Sequence, residues 1–149
     1  MKKFYSIFLL LSMSFTGTAQ NLNTVFHYPS QNAMAVPQDT VIRVQFDDEV
    51  DPATLNDSTF LVYGSQSGLL SGSYSYNSTD AEATFSPYNS FKAGEKISVI
   101  LTQGIQTNSG DALSKSHSWS FIAKVKGGSG LFTPKTDYTT GDNPSAICA

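Results

Sequence analysis

The sequence predicts an all-β protein, an antiparallel β-sandwich of about seven strands. One observation is that short segments alternate apolar and polar residues with the period of two that marks a half-buried strand. Another is that turn-forming residues separate these segments at intervals of about ten residues. In addition, no segment repeats its apolar residues with the 3.6-residue period of a long helix. Together these patterns favour two packed sheets.

The predicted strands follow one another along the chain, each bounded by turn chemistry. They cover residues 24–28, 41–46, 59–63, 69–76, 81–85, 96–102 and 117–125. Alternation within a strand places every second side chain on the same face, so one set of residues is expected to form the core. That set is Ile42, Val44, Phe46, Phe60, Val62, Leu70, Tyr74, Tyr76, Ala81, Ala83, Phe85, Ile97, Val99, Leu101, Trp119, Phe121, Ala123 and Val125.

An acidic turn and a short helical turn follow the second strand. Asp51 suits the N-cap of the helical turn, and Pro52 suits its first position, where an N–H is not needed. Calcium prefers clustered oxygen ligands, so the carboxylates here are calcium candidates, and no other cofactor is predicted. The spacing of an Asp-rich calcium loop is absent, which favours the alternative of a solvated turn. The four candidates are Asp47, Asp48, Glu49 and Asp51.

Residues 1–19 are predicted to be a secretory signal peptide. Lys2 and Lys3 precede a short apolar run, and Gly17 and Ala19 supply the small residues of a cleavage site. The run is far shorter than the roughly 20 residues of a membrane-spanning helix, and no later segment is apolar enough. We therefore expect a secreted or cell-surface protein with no transmembrane span.

Charge and cysteine content restrict the partners and the source of stability. Removal of the signal peptide changes the formal net charge from −3 to −5. Basic clusters are absent, which argues against nucleic acid and anionic lipid as partners. Cys148 is the only cysteine, so the core has to supply the stability without an internal disulfide.

The order of these features resembles the SbsA-type bacterial Ig-like domain. The resemblance rests on the second strand with its acidic turn and helical turn, and on four later stretches, covering about residues 28–124. It implies an Ig-like β-sandwich over residues 20–126 and a structural module of the cell surface. The four later stretches are residues 71–76 with 83–87, residues 92–101, residues 104–105 with 109–113, and residues 119–121.

The composition changes after this domain. Residues 127–130 read as a flexible Gly/Ser linker. Residues 131–149 resemble the start of an FG-GAP or VCBS-type β-propeller repeat, which implies that the chain is the N-terminal part of a larger repeat protein. This second resemblance rests on Phe132, Asp137, Tyr138, Gly141 and residues 144–147.

Candidate chemistry along the chain does not indicate an enzyme. His27 and His117 lie 90 positions apart, without other ligand-type residues at a useful spacing, and Ser129 lacks the final Gly of a nucleophile elbow. Tyr63 and Tyr88 are ligand-binding candidates, because exposed aromatic rings can stack on sugar faces. The alternative for both tyrosines is packing at the core or its rim.

The sequence therefore predicts a non-enzymatic, secreted or cell-surface Ig-like module that acts as a spacer or assembly unit. Its expected partners are other domains of the same or neighbouring surface proteins. Two alternatives remain at this point: a carbohydrate- or protein-binding adhesin module with a glycan among its partners, or an accessory domain of a secreted hydrolase.

Overall fold

A computed structural model describes residues 21–125 of the chain. The predicted signal peptide, the Gly/Ser linker and the tail that resembles a propeller repeat lie outside the described residues, and they stay predictions. The described part contains eight strands and one 3-10 helical turn, Pro52–Thr54. The strands are β1 Thr24–Tyr28, β2 Ile42–Phe46, β3 Phe60–Gly64, β4 Gly68–Leu69, β5 Gly72–Asn77, β6 Glu82–Pro87, β7 Lys96–Leu101 and β8 His117–Ile122.

These strands form two four-stranded antiparallel sheets. The first has the order β1-β2-β6-β5, and we call it sheet I; the second has the order β4-β3-β7-β8, and we call it sheet II. Every strand pair in both sheets is antiparallel. The two sheets enclose one hydrophobic core, which confirms the predicted all-β, Ig-like sandwich.

The core forms where the alternation predicts it. Ile42 and Val44 of β2 are fully buried, and so are the three inward residues of β7, Ile97, Val99 and Leu101. Hydrophobic side chains of both sheets pack against each other here. The removal of their apolar surface from water is the main driving force for the two sheets to associate. Of the residues predicted to face the core, Val125 alone is exposed.

The prediction for Val125 is wrong: its side chain is 61% exposed. The alternation of apolar residues continues through Val125, but β8 ends at Ile122 and only Ala123 makes a further bridge, to Val36. The chain has left the sheet at Val125, so the position no longer points into the core.

The prediction of one strand over residues 69–76 is also wrong, because this segment divides between the two sheets. β4 pairs with β3 in sheet II, whereas β5 pairs with β6 in sheet I. Gly72 marks the crossing: a Cβ there would lie 2.5 Å from the backbone oxygen of Ser86. Only glycine lets the backbone approach this closely, and the crossing raises the strand count to eight.

The structure confirms the helical turn that the sequence predicts after β2. The Asp51 side chain accepts a hydrogen bond from the Ala53 N–H at 2.9 Å, and Pro52 occupies the first helical position. Within residues 21–125, no helix is long and apolar enough to cross a membrane.

Candidate functional site

The four acidic calcium candidates lie on the turn after β2, where three of them accept hydrogen bonds from backbone N–H groups. Asp47 accepts hydrogen bonds from the Asn23 backbone at 2.7 Å and from its side chain at 2.9 Å. Asp48 accepts from the Glu49 N–H at 2.7 Å, and Asp51 caps the helical turn. Across the described residues, no group of three or more His, Cys, Asp or Glu side chains could hold a metal ion. Calcium binding by these four residues stays a prediction.

Tyr63 and Tyr88 are both exposed, at 50% and 70%, but they belong to different parts of the sandwich. Tyr63 lies on the outer face of sheet II, in β3. Tyr88 follows β6 of sheet I, and its N–H donates to the Ser71 carbonyl at 3.0 Å. The two predicted ligand-binding residues therefore do not share one strand face.

The outer face of sheet II carries a continuous row of side chains across all four strands. Strand register places Tyr63 opposite Leu69 on one side and opposite Ser98 on the other, and Ser98 opposite Ser120. Leu69 is 59% exposed, so it and the Tyr63 ring form an apolar half of the row. The Ser98 and Ser120 hydroxyls form the other half. We call this row, Leu69–Tyr63–Ser98–Ser120, the sheet II row.

A surface cavity of about 380 Å³ lies at the hydroxyl end of the sheet II row. The segment before β2 reaches β8 here, because the Asn32 N–H donates to the Ser120 carbonyl at 2.7 Å. The six residues that line this cavity are all uncharged. They are Gln31, Ser98, Ile100, Ser118, Trp119 and Ser120.

Two histidines and the single tryptophan meet between the edge strands β1 and β8. The His27 ring stacks on Trp119 with centroids 4.3 Å apart, and it lies 5.3 Å from the His117 ring. His27 Nδ1 lies 3.0 Å from the Pro29 carbonyl oxygen, which can only accept, so this nitrogen carries the proton. The cluster could not be predicted from the sequence, because His27 and His117 lie 90 positions apart. The one local signal is that His117 and Trp119 share a strand face.

The environment of His117 favours the neutral imidazole. Burial lowers the pKa of His117, and the neighbouring His27 and Lys115 lower it further. Within the described residues, His117 Nε2 and Trp119 Nε1 are buried polar atoms without a hydrogen-bond partner. These rings fill the gap between the two sheet edges by packing.

Glu95 is a fully buried carboxylate that the sequence interpretation missed. It accepts hydrogen bonds from the backbone N–H groups of Gln66, Ser67 and Lys92 at 2.7–2.9 Å, and from the Ser67 hydroxyl at 3.2 Å. Burial alone would raise the pKa of Glu95, but these hydrogen bonds outweigh it and lower the pKa. Glu95 thereby ties the turn between β3 and β4 to the segment before β7.

The two ends of the described chain are each held by backbone hydrogen bonds. Near the start, the Ser114 N–H donates to the Leu22 carbonyl at 2.9 Å. Near the end, the Lys124 N–H donates to the Val36 carbonyl at 2.7 Å, and the Gln38 side chain donates to the Lys124 carbonyl at 2.9 Å. A cavity of about 420 Å³ adjoins this second end. It is lined by Pro37, Gln38, Asp39, Ser90, Lys124 and Val125.

Comparison with known proteins identifies the sandwich. The model of the bacterial Ig-like domain family matches residues 18–122. No curated protein sequence is significantly similar to this chain.

Several solved structures share the fold. Domains 1–6 of the surface layer protein SbsC match with a TM-score of 0.53 at 18% identity, over 71% of this chain and 14% of that one. The Escherichia coli alpha-2-macroglobulin structure that spans domains MG0-NIE-MG1 matches with a TM-score of 0.55 at 12% identity, over 72% of this chain and 33% of that one. CopC from Methylosinus trichosporium OB3b matches with 0.52 at 12% identity, over 75% and 100%. The chain thus spans a small part of the S-layer protein, and these likenesses show the fold alone.

Proposed function

Because the chain belongs to the bacterial Ig-like domain family, we propose that it is a non-catalytic module of a secreted or cell-surface protein. In this role the sandwich separates and orients the parts of the protein on either side of it. Its partners are then the neighbouring domains of the same protein or of adjacent surface proteins.

The observation that carries this proposal is the placement of the two chain ends relative to β8. Leu22 forms a parallel bridge with Leu113, before β8 begins, and Val36 forms one with Ala123, after β8 ends. Asn23 and Thr24 line a cavity together with His117, the first residue of β8, whereas Val125 lines the cavity beyond its last residue. The chain therefore enters at one end of β8 and leaves at the other.

This geometry suits a spacer that works in series. The six residues of β8 span roughly 20 Å at the usual rise of a strand. Hydrogen bonds fix the backbone at Leu22 and at Lys124, so the directions of entry and exit are set by the sandwich. A rigid body with fixed exits sets one distance and one orientation between its neighbours, whereas a flexible linker of the same number of residues samples a wide range of both.

The exit cavity gives a neighbouring domain a place to contact. Val125 is 61% exposed at its edge, beside Pro37, and the opposite charges of Asp39 and Lys124 also line it. Interfaces between domains of one chain combine such apolar and polar groups. The tail at residues 131–149, read as the start of a propeller repeat, is the proposed neighbour, which would make this module the N-terminal part of a larger repeat protein.

A domain replacement in the bacterium that produces the protein tests the spacer role. An epitope placed after Ala149 is labelled with antibody on intact cells. One variant replaces residues 21–125 by a short Gly/Ser segment, and a second replaces them by an unrelated sandwich whose ends also lie at opposite poles. Residues 1–20 are retained in every variant.

We expect the native chain and the sandwich replacement to be labelled equally, and the Gly/Ser variant to be labelled less. Immunoblots of the whole cells control for expression. Equal labelling of the Gly/Ser variant would contradict a spacer role, and absence of the epitope from both the cell surface and the culture medium in all three would contradict the proposed location.

A further inference from the structure

We propose that the outer face of sheet II binds a neutral glycan chain, with the Tyr63 ring as a stacking platform and the Ser98 and Ser120 hydroxyls as hydrogen-bonding groups. This role goes beyond the spacer function and does not depend on it. The structure supports it through the sheet II row, the adjoining cavity and the absence of charge in that cavity's lining.

The sheet II row has the extent that a short sugar chain needs. It crosses four neighbouring strands, which at the usual strand spacing is roughly 14 Å. Tyr63 and Leu69 form the apolar half, at 50% and 59% exposure. An exposed tyrosine ring offers a flat apolar surface to the C–H face of a sugar together with a hydroxyl at its tip.

The other half of the row offers hydrogen bonds directly beside the ring. Ser98 lies opposite Tyr63 in the strand register, so their Cβ atoms are about 5 Å apart. Ser120 follows opposite Ser98. A serine hydroxyl both donates and accepts, which matches the dual character of the hydroxyls of a sugar.

The cavity at the end of the row extends this polar lining. Ser118 adds a third hydroxyl, Gln31 adds an amide, and Ile100 supplies an apolar wall. No carboxylate, ammonium or guanidinium group is among the six lining residues, so the complementary ligand is uncharged. The cavity fits one sugar unit at the end of a chain that lies along the row.

A protein strand is the less suitable occupant. Strand addition needs a free sheet edge, but the segment before β2 already pairs with β8 over its second half. There the Asn32 N–H bonds to the Ser120 carbonyl, and the Ile122 N–H bonds to the Ala33 carbonyl. Beside the cavity, the edge of β8 is therefore occupied, whereas the face with its hydroxyls is accessible.

Affinity electrophoresis and isothermal titration calorimetry of the full chain test the proposal. The probes are four soluble neutral polysaccharides, namely laminarin, xyloglucan, galactomannan and yeast α-mannan, with polygalacturonate as the anionic comparison. Tyr63→Ala removes the platform, and Tyr63→Phe keeps the ring. Tyr88→Ala removes another exposed tyrosine, which lies elsewhere on the sandwich.

We expect at least one neutral polysaccharide to bind saturably. Tyr63→Ala should weaken this binding by about tenfold or more, whereas Tyr63→Phe and Tyr88→Ala should stay within about twofold. The Ser98→Ala, Ser120→Ala double variant should weaken it as well.

Three results would overturn the proposal. They are binding of none of the neutral polysaccharides, binding of polygalacturonate alone, and an equal loss of binding in Tyr63→Ala and Tyr88→Ala. All three tyrosine substitutions lie at exposed positions, so circular dichroism spectra that match the native chain confirm that a loss is not caused by unfolding.

Discussion

Gly64 lies directly against the buried carboxylate of Glu95, so closely that a Cβ on Gly64 would overlap Glu95 Oε1 and lie 2.8 Å from Glu95 Cδ. Gly64 is the last residue of β3, next to the turn that the carboxylate holds. The absence of a side chain at Gly64 is therefore what makes room for a charged group inside the sandwich.

Gly64→Ala should destabilise the domain, because the added methyl group has to displace the carboxylate or the backbone. We expect a loss of about 1–3 kcal/mol in the free energy of unfolding, measured by urea denaturation. The same substitution in a Glu95→Ala background should cost clearly less, since the obstructing group is gone. Equal costs in the two backgrounds would show that the Gly64–Glu95 contact does not limit this position.

Acid should weaken the domain through Glu95. Its pKa is lower in the folded state than in the unfolded chain, so the unfolded chain takes up the proton first as the pH falls. The stabilisation is then complete at neutral pH and is lost as the pH falls from about 4.3 towards the folded pKa. Urea denaturation from pH 7 to pH 3 measures this loss, and Glu95→Gln should make the curve flatter. An unchanged curve in Glu95→Gln would assign the acid sensitivity to other groups.

The Tyr74 hydroxyl connects the two sheets. Tyr74 lies in β5 of sheet I, and its hydroxyl donates to the Phe60 carbonyl of β3 in sheet II at 2.9 Å. Tyr74→Phe should cost about 1 kcal/mol of unfolding free energy, because a buried carbonyl loses a donor. Tyr63→Phe removes an exposed hydroxyl and should cost close to nothing, which makes it the matched control. A Tyr74→Phe midpoint equal to that of the native chain would contradict the proposed connection.

Phe46 should contribute to the stability of the domain because it is buried, and not merely because it is hydrophobic. Phe46 is 3% exposed, whereas Val125 is 61% exposed although both continue an alternating pattern. Phe46→Ala should lower the unfolding free energy by about 3–5 kcal/mol, because it leaves a cavity. Val125→Ala should leave the free energy of unfolding almost unchanged. Thermal or urea unfolding of both variants checks this difference, and a similar cost for both would contradict the burial pattern.

The strand positions could be predicted because their signals are local. The bounds predicted for β1 agree with the structure, since the β-branched and aromatic residues of this strand end at Pro29. The division of residues 69–76 could not be predicted, because alternation continues from Leu70 to Tyr76 while the pairing partner changes from β3 to β6. Alternation reports which face a side chain occupies, but it does not report which sheet the strand joins.

The candidate sites show the same limit. Exposure of Tyr63 and Tyr88 agrees with their interpretation as surface rings, but the register that places Ser98 beside Tyr63 depends on pairing between distant strands. The pairing of His27 with His117 likewise depends on two edge strands from opposite sheets. Glu95 gave no local signal, because its partners come from a turn almost 30 residues earlier as well as from Lys92.

The His27–His117–Trp119 cluster should make the domain sensitive to mild acid as well. Burial lowers the pKa of His117 in the folded state, with further lowering from His27 of β1 and from Lys115 of the preceding turn. The unfolded chain therefore binds the proton at a higher pH than the folded domain does, so unfolding is favoured as the pH falls. Stability should be complete above about pH 6.5 and should decline as the pH falls towards the lower folded pKa.

Urea denaturation at pH 8.0 and at pH 5.5, followed by the emission of Trp119, measures this decline. His117→Gln should reduce the difference between the two pH values, because it removes the group whose protonation differs between the folded and unfolded states. Glu95 stays ionised over this range, since its pKa is lowered, so the two acid effects separate by pH. An equal difference in the native chain and in His117→Gln would show that His117 does not couple protonation to the contact between β1 and β8.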